Sequence, residues 1–267
     1  MKDLTPENYL DLNRRAWNNK LQFHLSSEFY DLQSFLNGKS SLNYIELELL
    51  GDIKGKSILH LQCHFGQDSI SLARMGAKVT GVDLSDKAID KARELAKLSQ
   101  VDAEFICSDI YSLPEVLNKK FDIVFTSYGT IGWLPDIAKW AEILSLYTKA
   151  NGHFVFAEFH PFVWMYNGDF TSIDYNYFNK GPIVEVEEAT YADKKAPIKQ
   201  EVVGWNHSIA EVLQNILKDF HLLSFNEFDY SPYNCFKNME ELEQGKYRIA
   251  HLGDKIPMVY ALKAIRK

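Results

Sequence analysis

Residues 57–83 read SILHLQCHFGQDSISLARMGAKVTGVD and contain a strand, a turn, a helix and a second strand in that order. The apolar run at residues 57–61 is typical of a buried parallel strand, and residues 78–82 repeat the pattern. Between them, Gly66 precedes a short amphipathic helix that Gly76 can close. The stretch therefore predicts two parallel strands joined by a right-handed helical crossover.

The same alternation of strands and helices continues along the chain. Ser85 is a good N-cap for a helix after the second strand, and Pro135 suits the start of a later one. Further strands are predicted at residues 103–107, 121–126, 154–159, 222–228 and 258–265. Together these elements predict an α/β fold. Its seven-stranded, mostly parallel, Rossmann-like sheet is flanked by helices, and its last strand is antiparallel.

The alternation of predicted strands and helices stops after the fifth strand. Residues 161–206 are rich in aromatic side chains, and residues 183–190 and 198–205 are typical of two strands joined by a polar turn. We expect a β-hairpin insertion that covers a substrate, although the same rings also suit packing of the hairpin onto the core. One domain is predicted for the whole chain, in four parts: 1–50 as a helical lid, 51–160 as the core, 161–206 as the insertion and 207–267 as the rest of the core.

The composition and net charge of the chain indicate which kinds of binding partner and bound metal are unfavourable. The chain has 267 residues and a formal net charge of −7, which disfavours a nucleic-acid backbone as the main partner. The three cysteines, Cys63, Cys107 and Cys235, form neither a disulfide framework nor a zinc-binding pattern. No apolar segment predicts a membrane span or a signal region. We expect a cytoplasmic protein without a metal, either a monomer or a homodimer.

The cofactor is predicted to bind beyond the carboxyl ends of the strands, where the strand order reverses. Asp83 ends the second strand there, and its carboxylate can accept hydrogen bonds from both hydroxyls of a ribose. Nicotinamide dinucleotide proteins also carry such an acid, but they need a glycine-rich turn near the pyrophosphate. Here Gln62 and His64 crowd that turn and only Gly66 remains, which favours a ligand without phosphate, such as S-adenosylmethionine (SAM).

These features resemble the class I SAM-dependent methyltransferases, well over residues 50–160 and more loosely over 207–267. The segments VTGVDLS, CSDI, FDIVFTSYGTIGWL and LYTKANGHFVFAEF occur in the order and spacing of that family. Its first motif, V-L-D-L-G-C-G-T-G, corresponds here to residues 58–66, ILHLQCHFG, so His60 replaces an acid and Gln62 and His64 replace glycines. A bacterial subgroup without a defined substrate is similar over a wider stretch.

The resemblance implies roles for residues around the cofactor. Gly66 and Asp83 match family positions, and Asp109 would bond the adenine amino group while Leu84 and Ile110 sandwich the ring. Ser127 and Tyr128 would line the methionine and methyl region, and Tyr30 and His24 could approach the methionine carboxylate. The predicted cofactor-binding residues are Gln62, Cys63, His64, Gly66, Asp83, Leu84, Asp109, Ile110, Ser127 and Tyr30.

Methyl transfer from a sulfonium is an in-line displacement, and it needs a general base only if the acceptor starts protonated. The candidate bases are His160, Tyr128 and His207, with Glu158 nearby. His160 also suits a loop-anchoring hydrogen bond, Glu158 suits a buried structural pair or a cofactor contact, and His207 could simply flank the helix that follows it. We expect transfer to the oxygen or nitrogen of a small molecule, leaving S-adenosylhomocysteine (SAH). The altered first motif keeps open a SAM-binding sensor without activity, and a nucleotide-dependent oxidoreductase is a weaker alternative.

Overall fold

The computed structural model describes residues 8–267 and is built around one seven-stranded sheet in the order β3-β2-β1-β4-β5-β11-β8. Strands β1 to β5 run parallel, and β11 is antiparallel to both of its neighbours, β5 and β8. The sheet strands are β1 Ser57–Leu61, β2 Lys78–Asp83, β3 Ala103–Cys107, β4 Phe121–Ser127, β5 Thr148–Phe159, β8 Phe220–Phe228 and β11 Val259–Arg266. The predicted fold class is confirmed, including the antiparallel last strand.

Helices cover both faces of this sheet. They are α1 Tyr9–Ser26, α2 Leu32–Leu36, α3 Tyr44–Leu50, α4 Gln67–Arg74, α5 Asp86–Leu98, α6 Ile137–Tyr147 and α7 Ile209–Ile216. The predicted cap of α5 forms, because the Ser85 hydroxyl accepts a hydrogen bond from the Ala88 N–H at 3.1 Å. Ser208 caps α7 in the same way through the Glu211 N–H.

Side chains alternate between the two faces of the sheet and contribute to three apolar clusters. On one face, Leu59, Val124 and Phe156 pack with Trp140 of α6. A second cluster lies under α3 and α4 and contains Ile58 from β1, and a third joins Cys63 to α5. Strands buried on both faces are expected of a parallel sheet, and they hold the carboxyl ends of β1, β2 and β4 rigidly at one edge.

The fifth strand starts earlier than predicted. Residues 154–159 were expected to form it, whereas β5 begins at Thr148, directly after α6. Asn151 has φ 58°, a left-handed conformation that interrupts the strand, and the pairing with β4 shifts register between Phe121 and Ile123. Asn-Gly at 151–152 therefore lies within the strand instead of in a separate loop.

The region after β5 contains the predicted hairpin, formed by β6 Ile183–Glu188 and β7 Lys199–Gly204. A second hairpin, β9 Met239–Glu243 and β10 Lys246–Ile249, lies between β8 and β11 and was not predicted. Its strands are only five and four residues long, MEELE and KYRI, so any apolar alternation is too short to indicate a strand. In residues 8–267, no helix is long and apolar enough to cross a membrane.

The N-terminal helix α1 crosses the carboxyl edge of the sheet and joins the first hairpin. The Asn13 side chain donates to the Val203 carbonyl at 2.8 Å and accepts from the Val203 N–H at 3.0 Å. At its middle, the Asn18 side chain donates to Asp86 and accepts from Ser85 at the start of α5. These contacts place α1 and the hairpin over the turn that follows β1.

Candidate functional site

The turn after β1 and the end of β2 meet as the sequence predicts. The Asp83 carboxylate accepts hydrogen bonds from the backbone N–H of His64 at 2.8 Å and of Ser85 at 2.9 Å. These bonds use one lone pair on each carboxylate oxygen and leave the other lone pair of each oxygen available. Part of the side chain is exposed to solvent. Burial raises the pKa of Asp83 to about 6, and the backbone bonds only partly oppose it.

Gln62 and His64 adopt the conformation that glycine would adopt at the same places. Their φ angles are 56° and 50°, in the left-handed region that L-residues enter at a cost of about 1–2 kcal/mol each. The turn thus keeps the backbone path of the glycine-rich motif while carrying two polar side chains.

Gly66 is required by close packing. A Cβ atom there would lie 2.8 Å from the Cβ of Ala92 and 2.8 Å from the ring of Phe105, and φ is 81°. The backbone of the turn therefore packs directly onto α5 and β3, which fixes the start of α4.

Gln62 connects this turn to the loop after β4. Its side-chain amide donates to the Thr130 carbonyl at 2.8 Å, while its buried Oε1 atom has no hydrogen-bond partner among residues 8–267. Gln62 thus holds together two loops that line the predicted cofactor site.

Glu158 holds the same β4 loop from the other side. Its carboxylate accepts five hydrogen bonds, from the N–H groups of Gly129, Thr130, Ile131 and Phe159 and from the Thr130 hydroxyl. The side chain is 2% exposed. Because these bonds engage the lone pairs of both carboxylate oxygens, Glu158 is not a free base. It positions the loop after β4, which is the structural alternative given for it in the sequence analysis.

Helix α1 places aromatic and basic groups over the turn. Trp17 packs edge-on against His64 and Trp133, with ring centroids 5.2 and 5.4 Å apart. The ammonium of Lys20 lies 4.5 Å from the Trp17 ring and pairs with Glu187 of the hairpin at 2.7 Å. Burial of Lys20 lowers its pKa, and Glu187 opposes that shift.

His24 and His64 form a pair of neutral imidazoles. Nδ1 of His24 lies 2.8 Å from Nε2 of His64, and burial lowers the pKa of His24 to about 3 and that of His64 well below its usual value. The remaining nitrogen of each ring is buried without a partner. Whichever ring donates, one of these two nitrogens carries a hydrogen and the other a lone pair.

Half-buried side chains from several parts of the chain pack together near the turn after β1, and the surface that they share is called the recess below. Tyr30 packs on His64, whose N–H bonds Asp83, and Tyr191 packs on His24. Phe29 links Tyr30 to Tyr233, which packs on Tyr128. Next to it, the buried Glu46 accepts a hydrogen bond from the Tyr128 hydroxyl at 2.8 Å. Burial, and secondly the charge of Asp68, raise the pKa of Glu46 to about 7.

Two of the candidate bases have both ring nitrogens engaged. His160 Nδ1 accepts from the Phe162 N–H, so its Nε2 donates to Glu227 at 2.9 Å. His207 contacts the Leu134 carbonyl at 2.8 Å and Glu211 at 3.2 Å. Their contacts fix loops, so the structure favours the anchoring alternative for both. Tyr128 is the candidate that the fold brings to the recess.

The other predicted cofactor residues lie along the same edge with different exposure. Cys63 and Ile110 are buried in apolar clusters, while Leu84 and Ser127 stay partly exposed. The Asp109 carboxylate accepts hydrogen bonds from the N–H groups of Tyr111 and Ser112. Its charge helps to raise the pKa of Tyr9 of α1 to about 12, after the larger effect of burial, which places α1 beside Asp109. Ligand contacts of these residues stay predictions.

Sequence reasoning missed Glu46, Asp68, Trp17 and Lys20. Asp68 had one signal, because it lies in the first turn of the helix that Gly66 opens. The others come from α1 and α3, and only the folded chain brings them to the edge of the sheet.

The residues present fit a SAM molecule. The Asp83 carboxylate can accept from ribose hydroxyls, and the unpaired nitrogens of His24 and His64 offer a donor for a carboxylate. Gln62 Oε1 offers an acceptor for an ammonium. In residues 8–267, no group of three or more histidine, cysteine or acidic side chains is arranged to hold a metal ion.

Comparison with known proteins agrees with this geometry. Residues 58–152 match the methyltransferase domain family. A ubiquinone biosynthesis O-methyltransferase of Coxiella burnetii is 34% identical over 119 residues, covering 43% of this chain and 48% of that protein. An uncharacterized protein of Haemophilus influenzae is 30% identical over 157 residues, covering 54% and 60%. The chain thus spans about half the length of the curated relatives it matches.

Solved structures share the fold at low identity. A putative SAM-dependent methyltransferase from Listeria monocytogenes superposes with a TM-score of 0.58 at 19% identity, covering 82% of this chain and 95% of that one. The complex of DhpI with SAH gives 0.55 at 15% identity, covering 98% of both chains. The family match thus shows a methyltransferase domain over residues 58–152, and the solved structures show that the sheet around it has the fold of SAM-dependent methyltransferases.

Proposed function

We propose that the protein transfers the methyl group of SAM to an oxygen or nitrogen of a small molecule. The observation that carries this proposal is the junction of Asp83 with the turn at residues 62–66 beside an enclosed recess. Bound SAM supplies an electrophilic methyl carbon and a neutral thioether leaving group. The chain's own task is to exclude water, to hold the donor by its ribose and to align the acceptor.

A route for a proton supports an acceptor that starts protonated. The Tyr128 hydroxyl donates to Glu46 and lines the recess, so its oxygen can accept a proton from an acceptor hydroxyl as its own passes to Glu46. A carboxylate with a pKa near 7 is well matched to this task at neutral pH. As the O–H bond of the acceptor breaks, its oxygen gains the electron pair that forms the bond to the methyl carbon.

A cavity next to Tyr191 is our candidate for the acceptor. Its volume is about 290 Å³, enough for a small molecule and too narrow for a folded chain. Its walls include the aromatic rings of Trp164, Tyr166, Phe170, Tyr191 and Phe236 and the charged side chains of Glu187, Glu188, Lys194 and Lys237. Tyr191 links the cavity to the recess, because its hydroxyl contacts that of Tyr30 and its ring packs on His24. Such walls suit a flat acceptor that carries polar substituents.

The printed activity of the Coxiella burnetii relative, O-methyl transfer in ubiquinone biosynthesis, agrees with an oxygen acceptor. The match spans 119 residues, less than half of either protein, so the relative supports the class of reaction more than the identity of the acceptor. We propose no nucleic-acid or membrane partner for this reaction.

Two measurements test the proposed function. Isothermal titration calorimetry with SAH should show one site per chain, and an assay of SAH release over a panel of phenols, catechols and amines should show turnover. Binding of NAD in place of SAH would contradict the proposal.

A SAM-binding sensor without turnover is the second candidate, motivated by the altered first motif, in which His60, Gln62 and His64 replace an acid and two glycines. Tight SAH binding with no methylation of any acceptor in the panel would favour it.

A further inference from the structure

The cavity beside Tyr191 is lined by a group of aromatic rings that contact one another. Phe170 stacks on Tyr166 with the ring planes 23° apart, and its ring centroid lies 5.4 Å from that of Phe236. Trp164 packs edge-on against Phe236, with the centroids 5.5 Å apart. Aromatic rings prefer to pack on the faces and edges of other rings. These walls therefore favour a ligand that contains a ring over one with an aliphatic chain.

Three of the four charged side chains that line this cavity already have a partner of opposite charge. The pairs are Glu187 with Lys20 at 2.7 Å, Glu188 with Lys199 at 2.6 Å and Lys237 with Asp169 at 2.9 Å. Within residues 8–267, no carboxylate forms an ion pair with the fourth, Lys194. The charge left without a counter-charge at the cavity is therefore positive.

Hydrogen-bond donors are available at the same end of the cavity, in the turn between β6 and β7. The Lys194 ammonium donates to the carbonyl of Phe236 at 3.4 Å, which leaves two of its three N–H groups for a ligand. Thr190 also lines the cavity and is 5% exposed, and its hydroxyl accepts from the N–H groups of Ala192 and Asp193. In the part of the chain that the structure describes, that hydroxyl donates to no acceptor. An ammonium and a hydroxyl hydrogen can thus meet an anionic group.

We propose that the acceptor is an aromatic carboxylic acid that carries the hydroxyl or amino group to be methylated, and that Lys194 selects it by pairing with its carboxylate. This inference rests on the proposed function, because it assumes that the cavity holds the acceptor. The carboxylate supplies the counter-charge that Lys194 lacks, while the ring packs among the aromatic walls. A cationic acceptor is disfavoured, because Glu187 and Glu188 are already paired.

Binding of matched acids and amides tests the proposal without any turnover. The probes are benzoate, 4-hydroxybenzoate and 3,4-dihydroxybenzoate, each compared with its carboxamide, which has the same ring and no charge. Calorimetry with and without saturating SAH should show that the wild-type protein prefers acid to amide by ~5- to 20-fold. The preference should shrink as the salt concentration rises, because Lys194 is exposed. Equal affinities for acids and amides, or no binding of any probe, would overturn the proposal.

Substitutions in the same turn assign the preference to one side chain. Lys194→Met keeps a side chain of similar length without the charge, so it should lose the preference for acids and bind the amides as the wild type does. Lys194→Arg should keep the preference. Lys195→Met is the matched control, because Lys195 is also exposed and does not line the cavity. Equal loss of acid and amide binding in Lys194→Met, or no loss at all, would refute the role of Lys194.

Assays of SAH release separate this inference from the proposed function. In Lys194→Met, KM for 3,4-dihydroxybenzoate should rise by the factor lost in binding, while kcat/KM for catechol stays unchanged. A wild-type protein that binds SAH and methylates catechol without any preference for the acid would overturn the role of Lys194 and leave the proposed function in place. Binding of the acids without any binding of SAH would overturn the proposed function, and with it the assignment of the acid as a methyl acceptor.

Discussion

The backbone N–H of His64 donates to the carboxylate of Asp83 at 2.8 Å, which joins the turn after β1 to the end of β2. His64 has φ 50°, in the left-handed region. Backbone strain at the turn therefore accompanies the hydrogen bond that holds the Asp83 carboxylate. Strain of this kind is common where a ligand is bound.

Asp83→Asn should weaken SAH binding, because an amide keeps one acceptor oxygen where the carboxylate has two. In the ligand-free wild type, a carboxyl group whose pKa is raised by folding destabilises the folded state above that pKa, and the penalty disappears as the pH falls from about 6 to about 4. Over that range the free energy of unfolding of the wild type should rise by about 1–3 kcal/mol relative to that of Asp83→Asn. Urea unfolding at several pH values measures this difference, with Asp90→Asn as the control. The same pH dependence in the wild type and in Asp83→Asn would contradict the raised pKa of Asp83.

Gly66→Ala should destabilise the protein by about 2–4 kcal/mol, because the new methyl group would overlap Ala92 and Phe105 at a residue with positive φ. Thermal unfolding is the measurement. Gly168→Ala is the matched control, since a Cβ there would meet no atom within 4 Å. Similar melting temperatures for the two variants would contradict the packing described at Gly66.

Glu158→Gln should destabilise the protein by about 2–4 kcal/mol, because an amide group would face backbone donors that now bond a carboxylate. Hydrogen exchange should rise in residues 129–131, whose N–H groups lose their acceptor. Glu142→Gln on the exposed face of α6 serves as the control. Unchanged exchange in the loop would show that Glu158 does not hold it.

Glu46→Gln should lower kcat by ~10²–10⁴-fold for a hydroxyl acceptor and leave the affinity for SAH nearly unchanged. The glutamine oxygen can still accept from the Asn43 N–H, which preserves the start of α3. In the wild type, kcat should rise as the pH increases through about 7, because the ionised form of Glu46 accepts the proton. A pH profile that keeps this rise in Glu46→Gln would assign it to another group.

Much of the cofactor half of the site could be predicted because it is local. Gly66 and Asp83 each end or begin a regular element, and sheet topology alone brings such positions together. His160 and His207 illustrate the limit. Both lie near strand or helix ends, as predicted, but Glu227 and Leu134, distant in sequence, engage the rings that a free base would need.

By itself, the sequence of this protein determined the seven-stranded sheet, the turn at residues 62–66 and the acid at the end of β2, because periodicity and turn chemistry act between near neighbours. Only the tertiary structure decided which acids serve which purpose. Glu158 accepts hydrogen bonds from several backbone N–H groups, whereas Glu46 is bonded to the Tyr128 hydroxyl. The two carboxyl groups differ because folding buries them and brings them hydrogen-bond partners from distant parts of the sequence. Such environments cannot be inferred from the order of residues alone.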